Sequence, residues 1–167
     1  MNPQKSSLMS VERVLIDGKW RVSSGSKIFQ SVNPATRLPL PREYPVSPWA
    51  EVEQAILAAA CASRAVRDVP GEVFAKFLER FAERIDARSG EFIATANQET
   101  GLPVEPRLKI AELPRTTTQL RQAAAAARDG GWSLPTIDTK NNIRSRLASI
   151  GPVVVFGPNN FPYAFNS

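Results

Sequence analysis

The seventeen residues from Gly151 to Ser167 constrain this chain most. They read Gly-Pro-Val-Val-Val-Phe-Gly-Pro-Asn-Asn-Phe-Pro-Tyr-Ala-Phe-Asn-Ser. Val153 to Phe156 is a short β-branched and aromatic run bounded by Gly and Pro, the pattern of a strand buried on both faces. The cluster Gly157-Pro158-Asn159-Asn160-Phe161-Pro162 that follows must turn sharply. In open α/β sheets a ligand sits outside the carboxyl end of such a strand. The sequence therefore predicts a binding site at this turn. The second strand and crossover helix of the sheet would have to follow Ser167, so the chain reads as an incomplete fragment.

Upstream, the pattern divides into parts. Residues 1–12 are polar and irregular and read as a flexible terminus. Residues 13–46 read as a β-hairpin region and an extended connector. Asp17-Gly18 suits a type I′ turn between Arg13–Ile16 and Lys19–Val22. Lys27–Val32 is a third strand, and residues 33–46 are held open by Pro34, Pro39, Pro41 and Pro45. Residues 47–131 are helical. Ser47-Pro48 is an N-cap with Pro at the first helical position, and that helix runs to about Val66 with Val52, Ile56, Ala59 and Ala60 on one side. Phe74, Phe77, Leu78, Phe81 and Ile85 keep helical spacing and are the expected core stripe of a second helix. Ser89 caps a third, which carries Phe92, Ile93 and Ala96 and stops at Gly101 and Pro103. Arg107 to Arg128 is helical in composition and ends at Gly130-Gly131, but Pro114 should break it there or cost about 3 kcal/mol. Residues 132–167 are a loop, the strand and the turn.

Composition removes whole classes of chemistry. With no histidine, neither a Ser-His-Asp nor a Cys-His arrangement can form. With one Cys as well, no zinc site of the usual kind is available, and no metal is expected. Cys61 lies mid-helix in Ala-Ala-Ala-Cys-Ala-Ser with no base beside it and reads as a small packing residue, not a nucleophile. A lone Cys cannot form an internal disulfide and fits a reducing cytoplasm. The amino terminus has no apolar signal region. The longest apolar run, Ala55–Ala62, falls far short of the roughly 18 residues that span a bilayer. The formal charge of +5 raises the question of nucleic acid. Arg107, Arg115, Arg121 and Arg128 are interleaved with Glu105, Glu112 and Asp129, without aromatic interleaving, so a solvated face is the better reading.

The terminal strand and turn, with its Asn-Phe-Pro, resemble the corresponding motif of the aldehyde dehydrogenase superfamily. The resemblance extends backward. Val14-Leu-Ile-Asp-Gly-Lys-Trp20 and Val32-Asn-Pro-Ala-Thr36 are similar to that family's opening hairpin and turn. Glu99-Thr-Gly-Leu-Pro103 resembles its Glu-Thr-Gly helix end. Arg115-Thr-Thr-Thr-Gln-Leu-Arg121, Gly131-Trp132 and Ile137-Asp138 resemble most the branch acting on 2-oxoglutarate semialdehyde (2,5-dioxopentanoate). Pro114 departs from that branch, which runs helical through this point.

The resemblance implies an α/β fold: a β-hairpin region, a helical layer belonging to the cofactor-binding domain, and the first strand of a doubly wound, Rossmann-like nucleotide-binding domain. It implies NADP- or NAD-dependent oxidation of an aldehyde by a cytoplasmic homo-oligomer, with no nucleic acid or membrane partner. It places Asn160 as the side-chain donor to the substrate oxyanion, where composition alone would leave a self-capping turn Asn. It places Phe156, Gly157, Pro158 and Asn159 on the cofactor wall, which is compatible with strand-end packing. Phe161 and Phe165 match positions near the substrate tunnel and are equally readable as core aromatics. Arg115 and Arg121 are candidates for a distal carboxylate, or members of a solvated helix face. The family's nucleophile follows a Gly-Gln pair and its general-base Glu precedes Leu-Gly-Gly. Neither pattern occurs here, so the chain alone is expected to be inactive and its own cofactor binding is doubtful. A non-catalytic helical interaction or oligomerisation module derived from the family is the alternative.

Overall fold

The computed structural model describes residues 11–166. All but the last two residues of the expected flexible terminus lie outside the described residues. Strands β1 (Val14–Ile16) and β2 (Lys19–Arg21) form the expected hairpin, with Leu15 opposite Trp20. Asp17 and Gly18 both take positive φ, 53° and 71°, as a type I′ turn requires.

The expected connector is corrected. Strand β3 (Ile28–Val32) pairs antiparallel with β4 (Pro39–Pro45), which occupies half of that connector. Pro39, Pro41 and Pro45 share one parity, so their missing N–H groups all fall on the edge away from β3. On that edge the Glu43 carbonyl accepts from the Glu12 amide at 2.8 Å. Asn33 shapes the turn, its Oδ1 accepting from the amides of Ala35 (2.9 Å) and Thr36 (3.3 Å).

Helix α1 (Trp49–Ala65) starts one residue later than expected, with Pro48 as the cap residue and no side-chain cap. Its one buried residue is Glu51, and the expected apolar face, including Val52 and Ile56, is exposed. The Glu51 carboxylate accepts from Ser23 Oγ (2.6 Å) and the Ser24 amide (2.7 Å), tying α1 to the loop after β2. Those hydrogen bonds, led by Ser23, hold its pKa down at about 2.

Helix α2 (Gly71–Ala87) packs on α4 (Leu113–Asp129), but only through the Leu78 and Ile85 part of the expected stripe. Its buried face is Ala75, Ala82 and Ile85, set against Leu113, Leu120 and Ala124. Phe77 is 63% exposed, and Phe74 and Phe81 are also exposed. The reason is the closeness of the two axes. A Cβ on Gly71 would collide with the Ala127 carbonyl, so only small residues fit at that end of the seam. Arg128 clamps the same end, reaching Glu72 (2.6 Å) and Glu79 (2.9 Å), while Arg121 pairs with Asp86 (2.6 Å).

Helix α3 (Ser89–Thr100) includes Ser89 without a side-chain cap and ends at left-handed Gly101. Its end meets the Asn33 turn: Ser31 Oγ donates to Glu99 (3.1 Å), and Pro34 lies against Gly101. The segment Val104–Glu112, π-helical beyond an extended Glu105 (φ −120°, ψ 141°), then runs directly into α4. Pro114 therefore does not interrupt a helix. It occupies the first turn of α4, where its missing N–H is tolerated.

Residues 133–142, expected to be loop, contribute to another small hairpin, β5 (Thr136–Asp138) with β6 (Ile143–Ser145). The expected buried strand Val153–Phe156 is corrected as well. It forms no ladder with any described strand, and its side chains are exposed, Phe156 to 92%. A strand of that composition needs neighbours on both edges, and none of the described strands lies beside it. Among the described residues, no helix is long and apolar enough to cross a membrane.

Candidate active site

The turn that ends the described chain is held by two charged side chains from the π-helical segment. Glu112 is 1% exposed. Its Oε1 accepts from the backbone amides of Tyr163 (3.1 Å) and Ala164 (2.9 Å), and its Oε2 pairs with Arg107 Nη1 at 2.7 Å. The second arm of the same guanidinium, Nη2, donates to the Asn160 carbonyl at 2.5 Å. The fork of Arg107 thus joins the buried carboxylate to the residue singled out in the sequence, a geometry that suits arginine's planar donors. Burial pushes the Glu112 carboxyl up, but the Ala164 amide, the Arg107 guanidinium and the Tyr163 amide outweigh it and leave the pKa below the ordinary range.

Aromatic contacts complete the support. Phe161 and Phe165 stack at 4.5 Å and 9°. Arg107 lies 4.4 Å from the centroid of Phe161, and Arg115 lies 6.0 Å from Phe161 and 5.5 Å from Phe165. Tyr163 donates its hydroxyl to the Phe92 carbonyl (2.6 Å) and meets the Phe92 ring edge-on at 5.6 Å. Its phenol is pushed up to about 12, by burial first and then by Glu99 and Glu112. Beneath the turn is an apolar cavity of about 180 Å³, lined by Phe81, Ile85, Phe92, Leu113, Thr116 and Tyr163.

Of the residues expected from sequence, the structure gathers Asn160, Phe161, Phe165 and Arg115 around this turn. Asn160 is exposed and is gripped through its backbone carbonyl; its carboxamide makes no hydrogen bond among the described residues. Phe156, Gly157 and Asn159 lie exposed on the approach, with Pro158 half-buried. A Cβ on Gly157 would collide with the Asn166 carboxamide, which lies directly against the glycine. Arg121 is instead committed to Asp86 on the α2–α4 seam. Cys61, expected to be a small buried packing residue, is instead exposed on α1 with Arg64 as its contact. Among the described residues no cluster of His, Cys, Asp or Glu could hold a metal.

Glu112, Arg107 and Tyr163 were not legible as site residues. Arg107 reads as one of several dispersed charges. The one available signal was Glu112 itself, a carboxylate between Ala111 and Leu113 in an otherwise apolar stretch.

The Aldehyde dehydrogenase family pattern matches residues 20–167. The alpha-ketoglutaric semialdehyde dehydrogenase 2 of Azospirillum brasilense is 34% identical over 95% of this chain and 32% of its own length. The alpha-ketoglutaric semialdehyde dehydrogenase of Acinetobacter baylyi is 32% identical over 88% of this chain and 29% of its own. An N-succinylglutamate 5-semialdehyde dehydrogenase of Chromobacterium violaceum is also 32% identical, over 89% and 30%. The chain thus spans about a third of the length of these relatives. Among solved structures, an aldehyde dehydrogenase from Pseudomonas syringae complexed with NAD+ and octanal matches with a TM-score of 0.69 at 23% identity, over 77% of this chain and 26% of that one. A benzaldehyde dehydrogenase from Corynebacterium glutamicum matches with a TM-score of 0.69 at 19% identity, over 81% and 28%. The α/β arrangement of hairpins and helical layer is that of the amino-terminal part of these enzymes, and the chain belongs to the aldehyde dehydrogenase family.

Proposed function

We propose that this chain supplies the oxyanion donor and one wall of the cofactor site for NAD- or NADP-dependent oxidation of an aldehyde to a carboxylic acid. The observation that carries the reading is the Asn160 carboxamide, exposed and without a hydrogen bond among the described residues, on a turn that is itself tightly held. A neutral donor fixed in advance is what a developing oxyanion needs, because no reorganisation is required when charge appears. A thiolate that adds to the aldehyde carbon leaves negative charge on the former carbonyl oxygen. Asn160 would donate to that oxygen. The nicotinamide, when bound, accepts the hydride whose departure yields a thioester, and water then releases the acid. The thiolate and the general base are roles this chain's residues do not fill, since Cys61 lies on α1 without a base.

The residues from Phe156 to Asn159 fit a nicotinamide ring and its ribose. Their apolar surface is exposed, and the backbone from 153 to 158 is unpaired by any strand. These residues would bind and orient by packing and main-chain groups. In this reading residues 47–131 are the helical part of the cofactor-binding domain, and residues 132–167 carry the strand and turn. Arg115, beside the Phe161–Phe165 stack, is suited to the distal carboxylate of a substrate such as 2-oxoglutarate semialdehyde. Phe161 and Phe165 would form the adjoining tunnel wall. The complete protein is read as a homo-oligomer.

The exposed apolar faces of α1 and α2, with Trp49, Ile56 and Phe77, favour a second reading as a helical interaction or oligomerisation module. A hybrid joining residues 20–167 to the remaining two thirds of the Azospirillum brasilense relative separates the two. Oxidation of 2-oxoglutarate semialdehyde with reduction of NAD or NADP supports the first reading. A folded hybrid without that activity for any of several aldehydes would refute it.

A further inference from the structure

We infer that Glu112 and Arg107 are positioning residues for Asn160, forming a buried strut that sets where its carboxamide points. The inference rests on the oxyanion reading of Asn160. Three geometric observations carry it. Both oxygens of a fully buried carboxylate are spent on the turn and its arginine, at 2.7 to 3.1 Å. Arg107 passes that grip to the Asn160 carbonyl. The two ends of the turn are therefore clamped from one point: Asn160 through the guanidinium, and Tyr163 and Ala164 through the carboxylate. Only three residues lie between Asn160 and Ala164, so the backbone that carries the carboxamide has little freedom left. A single orientation of the donor follows without any contact to the donor itself.

A purely packed turn would not need charge here. A buried carboxylate is costly unless it is paired and hydrogen-bonded, and this one accepts two backbone amides on Oε1 and a guanidinium on Oε2. The groups facing it are the Arg107 guanidinium on its own segment and, from the turn, the Tyr163 phenol, whose ionisation Glu112 opposes. The net downward shift of the Glu112 pKa agrees with a strut that is ionised at neutral pH.

Nitrogen-15 NMR and amide exchange on the chain test the strut without requiring activity. In the unmodified chain, the Tyr163 and Ala164 amide protons should titrate together with the Glu112 carboxyl carbon, at a midpoint below the usual glutamate range. In Glu112→Gln those two amides should exchange about tenfold faster or more, the scale of one charge-assisted hydrogen bond, while the α4 amides stay protected. Arg107→Met should raise the Glu112 midpoint and change the Asn160 side-chain amide signals, and Arg107→Lys should restore the midpoint in part. If Glu112→Gln does not fold, the titration of the unmodified chain still decides. Amides that do not follow the carboxyl, or Asn160 signals indifferent to Arg107→Met, would overturn the inference. An intact strut beside a hybrid in which Asn160→Ala keeps full activity would instead remove the oxyanion reading and, with it, the positioning role. A missing strut beside an inactive Asn160→Ala hybrid would remove the inference alone.

Discussion

Phe77 and Phe81 stack on each other with centroids 6.2 Å apart, both of them exposed on α2. The helix pair buries only the Leu78 and Ile85 part of the strongest amphipathic signal in the sequence. Truncating Phe77 to Ala should cost less than about 1 kcal/mol, as for an exposed position. Leu120→Ala, at 3% exposure in the α2–α4 core, should cost about 2–5 kcal/mol. Urea unfolding of both variants checks the order, and a larger loss at Phe77 would contradict the packing described.

Gly71→Ala should separate α2 from α4. The new methyl meets backbone, the Ala127 carbonyl, which cannot swing away as a side-chain tip would. A cost of about 1–3 kcal/mol is expected, in the range of an overpacked core. The Arg128 clamp on Glu72 and Glu79 should loosen with it, visible as a changed Arg128 Nε signal.

Glu51 should remain ionised far into acid. Its folded pKa of about 2 lies below the ordinary value of 4.5. A depressed folded pKa means that its contribution to stability is complete above about pH 4.5 and is lost as pH falls toward 2. Side-chain carbon shifts of Glu51 followed over that window report it directly. In Glu51→Gln the Ser24 amide should lose protection at neutral pH and lose its acid dependence.

The chain by itself should not oxidise aldehydes. The covalent route needs a thiolate with a base or a lowered pKa, and Cys61 has an arginine contact at 3.3 Å but no base. Purified chain assayed with several aldehydes and either cofactor should show no reduced nicotinamide. Activity abolished by Cys61→Ala would overturn this.

In the hybrid enzyme, Asn160→Ala should lower kcat by about 10²–10³-fold, the usual loss for one oxyanion donor, with cofactor affinity little changed. Asn159→Ala should do the reverse. Steady-state kinetics beside direct cofactor titration separate the two. Near-normal kcat for Asn160→Ala with a collapsed kcat for Asn159→Ala would mean that the donor is the neighbouring residue.

What the sequence determined by itself is local. Asp17-Gly18 specified the first turn because both positions need positive φ, and Gly101 ended α3 for the same reason. Helix α1 was legible from Ser47-Pro48 at its start and α2 from the spacing of its apolar residues. The Asn-Phe-Pro segment was legible as a turn because a breaker cluster after an apolar run leaves few alternatives. Tertiary structure decided the rest. Whether β-branched residues such as Val153–Val155 form a strand depends on neighbours that local pattern does not contain, and here none pairs with them. Which face of α2 is buried depended on how closely α4 approaches, and that closeness selected alanines over phenylalanines. Pro114 was acceptable because a π-helical segment delivers the chain to a fresh helix start. The Glu112–Arg107 strut joins residues some fifty positions apart in sequence. No periodicity encodes such a contact: a buried ion pair gains its role only when distant backbone amides and a carbonyl are brought to meet it.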